Sequence, residues 1–207
     1  MARTPSSRRW LQEHHADPFV QKARAEGLRS RAAFKLMDLD RRYGLIRAGS
    51  RVVDLGAAPG GWSQWAAQRV GPRGRVVAVD ILPMSAVAGV SFVQGDFREE
   101  SVRETVREAL GGLAADLVLS DMAPNLSGIQ AVDQARSIEL VELALDFARA
   151  TLAPGGAFLA KVFQGEGLEE LLRSIRADFA ALERRKPEAS RARSRELYVL
   201  ARGYAGV

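Results

Sequence analysis

The segment Asp54–Gly61, Asp-Leu-Gly-Ala-Ala-Pro-Gly-Gly, follows an apolar run and predicts a strand that passes through a glycine turn into a helix. Its glycines permit backbone angles that other residues avoid, and Gly60 lets a ligand approach the main chain closely. A helix starting near Trp62 would present free N–H groups to that ligand. The segment therefore predicts a site for a polar small molecule; the alternative is a tight strand-to-helix turn that binds nothing.

Strand and helix patterns alternate along the chain, which predicts an α/β fold with a mostly parallel sheet and helices on both faces. The predicted strands are Arg51–Leu55, Arg75–Asp80, Ser91–Gln94, Asp116–Ser120, Gly156–Val162 and Glu196–Arg202, with a weaker candidate at Ala181–Arg185. The predicted helices lie near Ser30–Tyr43, Gly61–Val70, Glu99–Leu110, Asp133–Leu152 and Leu168–Phe179. The segment between Asp80 and Ser91 is too short for a crossover helix. In such folds, ligands bind at the carboxyl ends of the strands.

A chain of 207 residues fits a single domain, which we place at residues 30–207 after a basic N-terminal arm at residues 1–29. The start of the chain has no apolar stretch typical of a secretory signal, and no apolar run is long enough to span a membrane. Cysteine is absent, which excludes disulfides and thiolate metal sites. The absence of cysteine fits a cytoplasmic protein, which we expect. We also expect a monomer, because no apolar stripe suggests an oligomer.

Positive charge is concentrated at both ends of the sequence. Residues 1–47 hold 11 Lys and Arg against 5 Asp and Glu, and residues 183–207 hold 7 against 3, whereas the centre of the chain is acidic. Such segregation favours a polyanion that binds a surface built from the two ends. Solvated surface charge is the competing interpretation.

Acidic residues stand at the ends of three successive predicted strands. Asp80 lies 20 residues after Gly60, close to the spacing at which an acid binds a ribose hydroxyl in nucleotide-binding folds. Asp96 and Asp121 end the next two strands. A single acid at such a position is usually a cap or turn former. Three together favour a nucleoside-like cofactor, and their charge disfavours a pyrophosphate such as that of NAD, as does the lack of Gly-x-Gly-x-x-Gly.

Lysine is rare in this chain: only four of the 30 cationic residues are lysines, at positions 22, 35, 161 and 186. A buried lysine can lose its proton, whereas arginine effectively cannot. Lys161 ends a predicted strand beside the cofactor crevice, and Lys35 lies in an apolar helix. Both are candidates for proton transfer, and a surface lysine or a strand-end charge is the alternative for each.

Several motifs, taken together, resemble the FtsJ-like 2′-O-ribose methyltransferases, and the resemblance covers nearly the whole chain. They are Ser30–Ala32 with Phe34–Leu36, Asp54–Gln64, Gln94–Arg98, Ser120–Asn125, Lys161–Gly165, and Arg184–Pro187 followed by Ser190–Glu196. The resemblance implies a Rossmann-like S-adenosylmethionine (SAM)-dependent methyltransferase fold with a seven-stranded sheet. It also implies a catalytic tetrad of Lys35, Asp121, Lys161 and Glu196, and SAM contacts at Gly60, Trp62, Asp80, Asp96 and Asp121.

Within that family, the chain is most similar to bacterial members that methylate a uridine of 23S rRNA. The resemblance implies a reaction on the assembled large ribosomal subunit, in the A loop of the peptidyl-transferase centre, which supports ribosome maturation. This reaction needs no metal, and the resemblance implies no association with a membrane. We expect Arg31, Arg191, Arg193 and Arg195 to contact RNA phosphates. A tRNA ribose methyltransferase and a non-catalytic rRNA-binding assembly factor remain as alternatives.

Overall fold

The computed structural model describes residues 17–191 and 194–206. The strands are β1 (Arg51–Leu55), β2 (Arg75–Asp80), β3 (Val90–Gln94), β4 (Ala115–Ser120), β5 (Leu152–Phe163), β6 (Phe179–Arg185) and β7 (Glu196–Tyr204). The helices are α1 (Pro18–Ala25), α2 (Ala33–Tyr43), α3 (Gly61–Val70), α4 (Glu100–Ala109), α5 (Gln130–Thr151) and α6 (Leu168–Asp178).

All seven strands form one sheet in the order β3-β2-β1-β4-β5-β7-β6. The first five strands in this order are parallel to one another, and β7 runs antiparallel to both β5 and β6. The predicted α/β fold with a mostly parallel sheet is therefore confirmed. Chain order reverses at β1, between β2 and β4, and this reversal opens a crevice at the carboxyl ends of these strands.

The sheet is buried on both faces, which explains the continuous apolar runs in its central strands. In β1, Val52 packs in a cluster with Leu36 and Ala66 from α2 and α3. The next residue, Val53, points the other way into a cluster with Val106 and Leu145 from α4 and α5. Alternate side chains of one strand thus fix helices to opposite faces.

The first described helix, α1, lies within the range that we predicted as a basic arm. The Asp17 side chain caps it by accepting a hydrogen bond from the Phe19 N–H (3.0 Å), and Pro18 occupies the first helical position. Ala23 of α1 packs in a small cluster with Phe34. Residues 1–16 lie outside the described part of the chain, and the division into arm and domain stays a prediction.

One connection agrees with the prediction and one strand boundary differs from it. No helix joins β2 to β3, as predicted. β5 begins at Leu152, whereas we predicted a start at Gly156. The Pro-Gly-Gly segment is part of the strand, and the pairing of β5 with β4 shifts register there. Among the described residues, no helix is both long and apolar enough to cross a membrane.

Candidate active site

The turn between β1 and α3 requires glycine for two separate reasons. Gly56 has φ 69° and Gly60 has φ 99°, both in the left-handed region that favours glycine. A Cβ atom added to Gly56 would lie 2.2 Å from Cγ of Met122, so there is also no space for a side chain. The turn brings bare main chain, and the N-terminus of α3, to the crevice.

Asp54 is a buried carboxyl group at the base of this turn. It is 1% exposed and accepts a 2.6 Å hydrogen bond from the Ser63 hydroxyl in the first turn of α3. Burial raises the pKa of Asp54 to about 7, because the hydrogen bond from Ser63 only partly offsets the cost of desolvating its charge. The Asp54–Ser63 bond joins the end of β1 to the start of α3.

A cleft of about 530 Å³ opens beside the turn and is lined by Asp80, Asp96 and Gly56. Asp80 accepts hydrogen bonds from the main-chain N–H groups of Ala58 and Leu82, each at 2.8 Å. These bonds fix the carboxylate at the cleft wall, and a carboxylate has further lone pairs for hydroxyl donors.

Asp96 forms an ion pair with Arg98 across a short turn. The Arg98 guanidinium donates to both carboxylate oxygens, and these bonds outweigh burial and hold the pKa of Asp96 below its usual range. Asp96 is therefore an anionic acceptor at neutral pH.

The Trp62 side chain lies in the core and not in the cleft. It is 3% exposed, its indole N–H donates to the Ala32 carbonyl at 2.8 Å, and its ring contacts that of Tyr198. The main chain of Trp62 stands in the first turn of α3. The same indole bond anchors the start of α2, which carries Lys35.

The structure brings the four residues of the predicted tetrad together as two ion pairs. Lys35 Nζ of α2 lies 2.7 Å from Glu196 Oε1 at the start of β7. Lys161 Nζ of β5 lies 3.1 Å from Asp121 Oδ1, just after β4, and also donates to the Asp121 carbonyl. All four side chains are largely buried, so these contacts are little screened by solvent.

Tyr198 connects the two pairs and was missed at the level of sequence. Its hydroxyl donates a 2.6 Å hydrogen bond to Asp121 Oδ1, and Lys35 Nζ lies 5.6 Å from the centre of its ring. Burial and the adjacent Asp121 raise the pKa of Tyr198 well above its usual value, so the hydroxyl keeps its proton. The available signal was strand periodicity, because residues 196 and 198 share one face of β7.

Glu196 is ionised despite its surroundings. Burial disfavours its charge, but the charge and hydrogen bond of Lys35 outweigh that effect and hold the pKa of Glu196 below its usual value. Glu196 is therefore an anion at neutral pH and a charged partner for Lys35.

Two of the predicted RNA-contacting arginines share one acidic partner. Arg31 and Arg191 both bind Asp17 Oδ2, and Arg31 also donates to the Ala189 carbonyl. Arg195 is exposed at the edge of β7, and Arg193 lies outside the described residues.

Three adjoining clefts run from the acids to these arginines. The 530 Å³ cleft shares Gly56 with a smaller one of about 170 Å³ that is lined by Asp54, Trp62 and Asp121. The smaller cleft shares Arg31 and Ala32 with a third, of about 520 Å³, that is lined by Lys35, Arg191 and Glu196. Lys35 and Glu196 thus line the basic cleft, and Asp121, the partner of Lys161, lines the small cleft between it and the cofactor-sized one. Within the described residues, no three His, Asp or Glu side chains are grouped as a metal site.

Comparison with known proteins identifies the family. The chain is 59% identical over 202 residues, 98% of its length and 97% of the relative's, to ribosomal RNA large subunit methyltransferase E of Alkalilimnicola ehrlichii. It is 58% identical, over 97% of its length and 96% of the relative's, to the protein of the same name from Chromohalobacter salexigens. A crystal structure from Plasmodium falciparum, assigned as a ribosomal RNA methyltransferase, superimposes with a TM-score of 0.76 at 26% identity, covering 86% of this chain and 100% of that one. The FtsJ-like methyltransferase profile matches residues 28–204, and the chain belongs to that family.

Proposed function

We propose that this protein methylates the ribose 2′-hydroxyl of a uridine in 23S rRNA, with SAM as the methyl donor. Its substrate is the assembled large ribosomal subunit, where the A loop of the peptidyl-transferase centre holds the target. The reaction belongs to ribosome maturation in the cytoplasm and needs only a monomer. The line of three clefts carries the proposal, because Lys35, Glu196 and Asp121 line it and Lys161 is paired with Asp121. The names of the relatives support large-subunit rRNA as the substrate.

The volume of the large cleft and the chemistry of its walls support SAM as the cofactor. Gly60, whose φ of 99° turns the chain into α3, and the main chain of Trp62 would hold the amino-acid end. Asp80 and Asp96 would accept hydrogen bonds from the hydroxyl and amine donors of the adenosine, and Asp121 would lie beside the reacting end. When bound, SAM supplies a methyl group on a sulfonium, which is already a good electrophile.

We assign proton removal to the unprotonated amine of Lys161, which takes the proton as the hydroxyl oxygen takes the methyl group, because a ribose hydroxyl is a poor nucleophile until its proton is drawn away. Asp121 holds the Lys161 amine in place through its carboxylate and its carbonyl. Lys35 supplies positive charge beside the developing oxyanion, and Glu196 fixes the position of Lys35. Much of the rate enhancement then comes from positioning of the hydroxyl.

The basic cleft would receive the RNA backbone around the target nucleotide. Arg31 and Arg191 line it, and Arg193 and Arg195 belong to the same basic segment of the sequence. A phosphate entering this cleft would compete with Asp17 for the first two guanidinium groups. These contacts position the RNA without reading its sequence.

Methyl transfer from labelled SAM tests the substrate. Intact large subunits, free 23S rRNA and tRNA are compared, and the product is mapped to a nucleotide and to its 2′-oxygen. We expect transfer to one uridine of the large subunit. Preferential labelling of tRNA would favour the tRNA methyltransferase. Tight binding to subunits without any transfer would favour the assembly factor.

Substitution of Lys161 by arginine tests the catalytic assignment. Lys161→Arg retains the charge but cannot accept a proton near neutral pH. We expect single-turnover methyl transfer to fall by about 10²–10⁴-fold, with SAM affinity retained in calorimetry. Lys22→Arg makes the same exchange at a side chain that is 57% exposed and outside the site, and it should react like the wild type. A Lys161→Arg rate within a few-fold of wild type would exclude the base role.

A further inference from the structure

A second basic cavity lies at the opposite edge of the sheet from the candidate active site. We call it the amino-edge groove, because it lies where β1, β2 and β4 begin. It has a volume of about 830 Å³, and its walls are the loops at residues 43–51, 73–75 and 154–157, with Arg202 of β7. It shares no lining residue with the three clefts of the candidate site.

Most of the charged side chains that line the amino-edge groove are arginines. Five arginines line it against a single acid, Asp116; they are Arg47, Arg51, Arg73, Arg75 and Arg202. Arg51 neutralises Asp116 through a two-pronged ion pair, with contacts of 2.8 and 3.1 Å. Arg202 binds Glu183 outside the groove at 2.6 Å. A net excess of positive charge therefore remains in a concave surface.

Two of these arginines are fully available to a ligand. Arg47 and Arg73 are exposed, and their guanidinium groups make no hydrogen bond or ion pair with residues 17–191 or 194–206. Arg75 is exposed too and donates only to the Ala109 carbonyl. Unpaired arginines in a concave surface suit phosphate groups, which guanidinium binds through two parallel hydrogen bonds.

We propose that the amino-edge groove binds the phosphate backbone of rRNA at a place remote from the target nucleotide. The proposal rests on the proposed function, which makes RNA the partner. The groove lies a strand length from the candidate site, about 17–20 Å for five or six residues. An RNA must extend at least that far over the protein surface to contact both places, so the groove would favour the large subunit over a fragment that carries only the target loop.

The shape of the groove favours RNA over an anionic membrane. A membrane-binding surface combines cations with exposed apolar side chains that enter the bilayer. Here Leu113 is the one strongly exposed large apolar residue among the lining residues, and the cations stand in a concavity instead of on a protruding face.

The test removes the two available charges and measures RNA binding. Arg47→Gln/Arg73→Gln is compared with wild type for binding to purified large subunits over a range of salt concentrations, without SAM. Each lost phosphate contact reduces the slope of log K against log salt by about 1, so we expect a reduction of about 2. Neither side chain has a partner in the described fold, so the thermal unfolding midpoint should not change.

A matched variant controls for total charge. Arg173→Gln/Arg176→Gln removes the same charge from exposed positions on α6, outside the groove, and should leave the slope unchanged. Equal slopes for all three proteins, or an equal reduction in both variants, would overturn the proposal. So would weaker binding to phosphatidylserine vesicles with unchanged binding to subunits. The readout is binding and not methyl transfer, so this proposal and the proposed function can fail separately.

Discussion

Asp54 links protonation to stability through one buried carboxyl group. Its pKa of about 7 lies above the ordinary value of 3.8, so the folded state holds a proton that the unfolded state releases. Between these two values the folded protein binds more protons than the unfolded one. The free energy of unfolding therefore falls as pH rises through this window, and the loss is complete above it.

Asp54→Asn should remove this loss. Asparagine keeps the shape and can accept the Ser63 hydroxyl bond, but it carries no charge at any pH. We expect the variant to be more stable than wild type above pH 7, by about 4 kcal/mol at most for three pKa units, and equal to it near pH 4. Urea unfolding across this range measures the difference. Glu188→Gln, at an exposed site, should show no trend, and a gap that widens towards acid would contradict the assignment.

At the scale of elements, the register of β5 against β7 builds the site. Lys161 pairs with Tyr198, and Phe163 pairs with Glu196, so adjacent antiparallel strands deliver a lysine, a tyrosine and a carboxylate to one region. The Tyr198 hydroxyl then holds Asp121, which holds Lys161. The uncharged side chain of Tyr198 thereby positions Lys161, to which we assign proton removal.

Tyr198→Phe should therefore lower the rate without loss of cofactor binding. A hydrogen bond to a charged group contributes about 1.5–3 kcal/mol, so a tenfold or larger fall in single-turnover methyl transfer is expected. Tyr204→Phe is the matched control, because Tyr204 is also buried in β7 and donates to the Arg149 carbonyl, far from the ion pairs. Both variants should lose stability. An equal rate in both would show that Tyr198 serves only the fold.

The sequence predicts helices and strands correctly where the apolar periodicity is strong. It misses features whose signal is short, or whose residues look like ordinary core residues. The order of strands and helices follows from apolar spacing, and the glycine turn is recognisable from its residues alone. α1 escaped notice because its Asp-Pro start is a short signal inside a basic segment. Tyr198 escaped because a buried tyrosine in a strand looks like core. The pairing of Lys35 with Glu196 depends on tertiary contact, which spacing does not encode.

At the scale of the molecule, SAM should stabilise the whole fold, since the ligand binds only the folded state. At a concentration 100-fold above its Kd, the stabilisation is about 2.7 kcal/mol. Asp80→Ala should abolish most of the SAM-dependent rise in the unfolding midpoint. The variant is itself destabilised, because the Ala58 and Leu82 N–H groups lose their acceptor, so the comparison is made with and without SAM for each protein.

Asp40→Ala supplies the control for this measurement. Asp40 is also a buried acid, and it accepts bonds from the Ile46 N–H and the Trp65 indole, away from the clefts. It should lower the midpoint yet keep the full response to SAM. If Asp80→Ala responds as strongly as Asp40→Ala, the cofactor does not depend on Asp80.

Because β7 lies between β5 and β6 in the sheet but is translated after both, the two parts of the candidate site are synthesised at different times. The cleft that we assign to adenosine is lined by residues no later than Leu143, so all of them are translated before β5 begins at Leu152. Glu196 and Tyr198 arrive with the last strand, which must enter between two strands translated before it. A nascent chain thus contains every residue that lines this cleft while Lys35 still lacks its carboxylate and Asp121 its tyrosine. Competence for methyl transfer begins only after translation has passed β7.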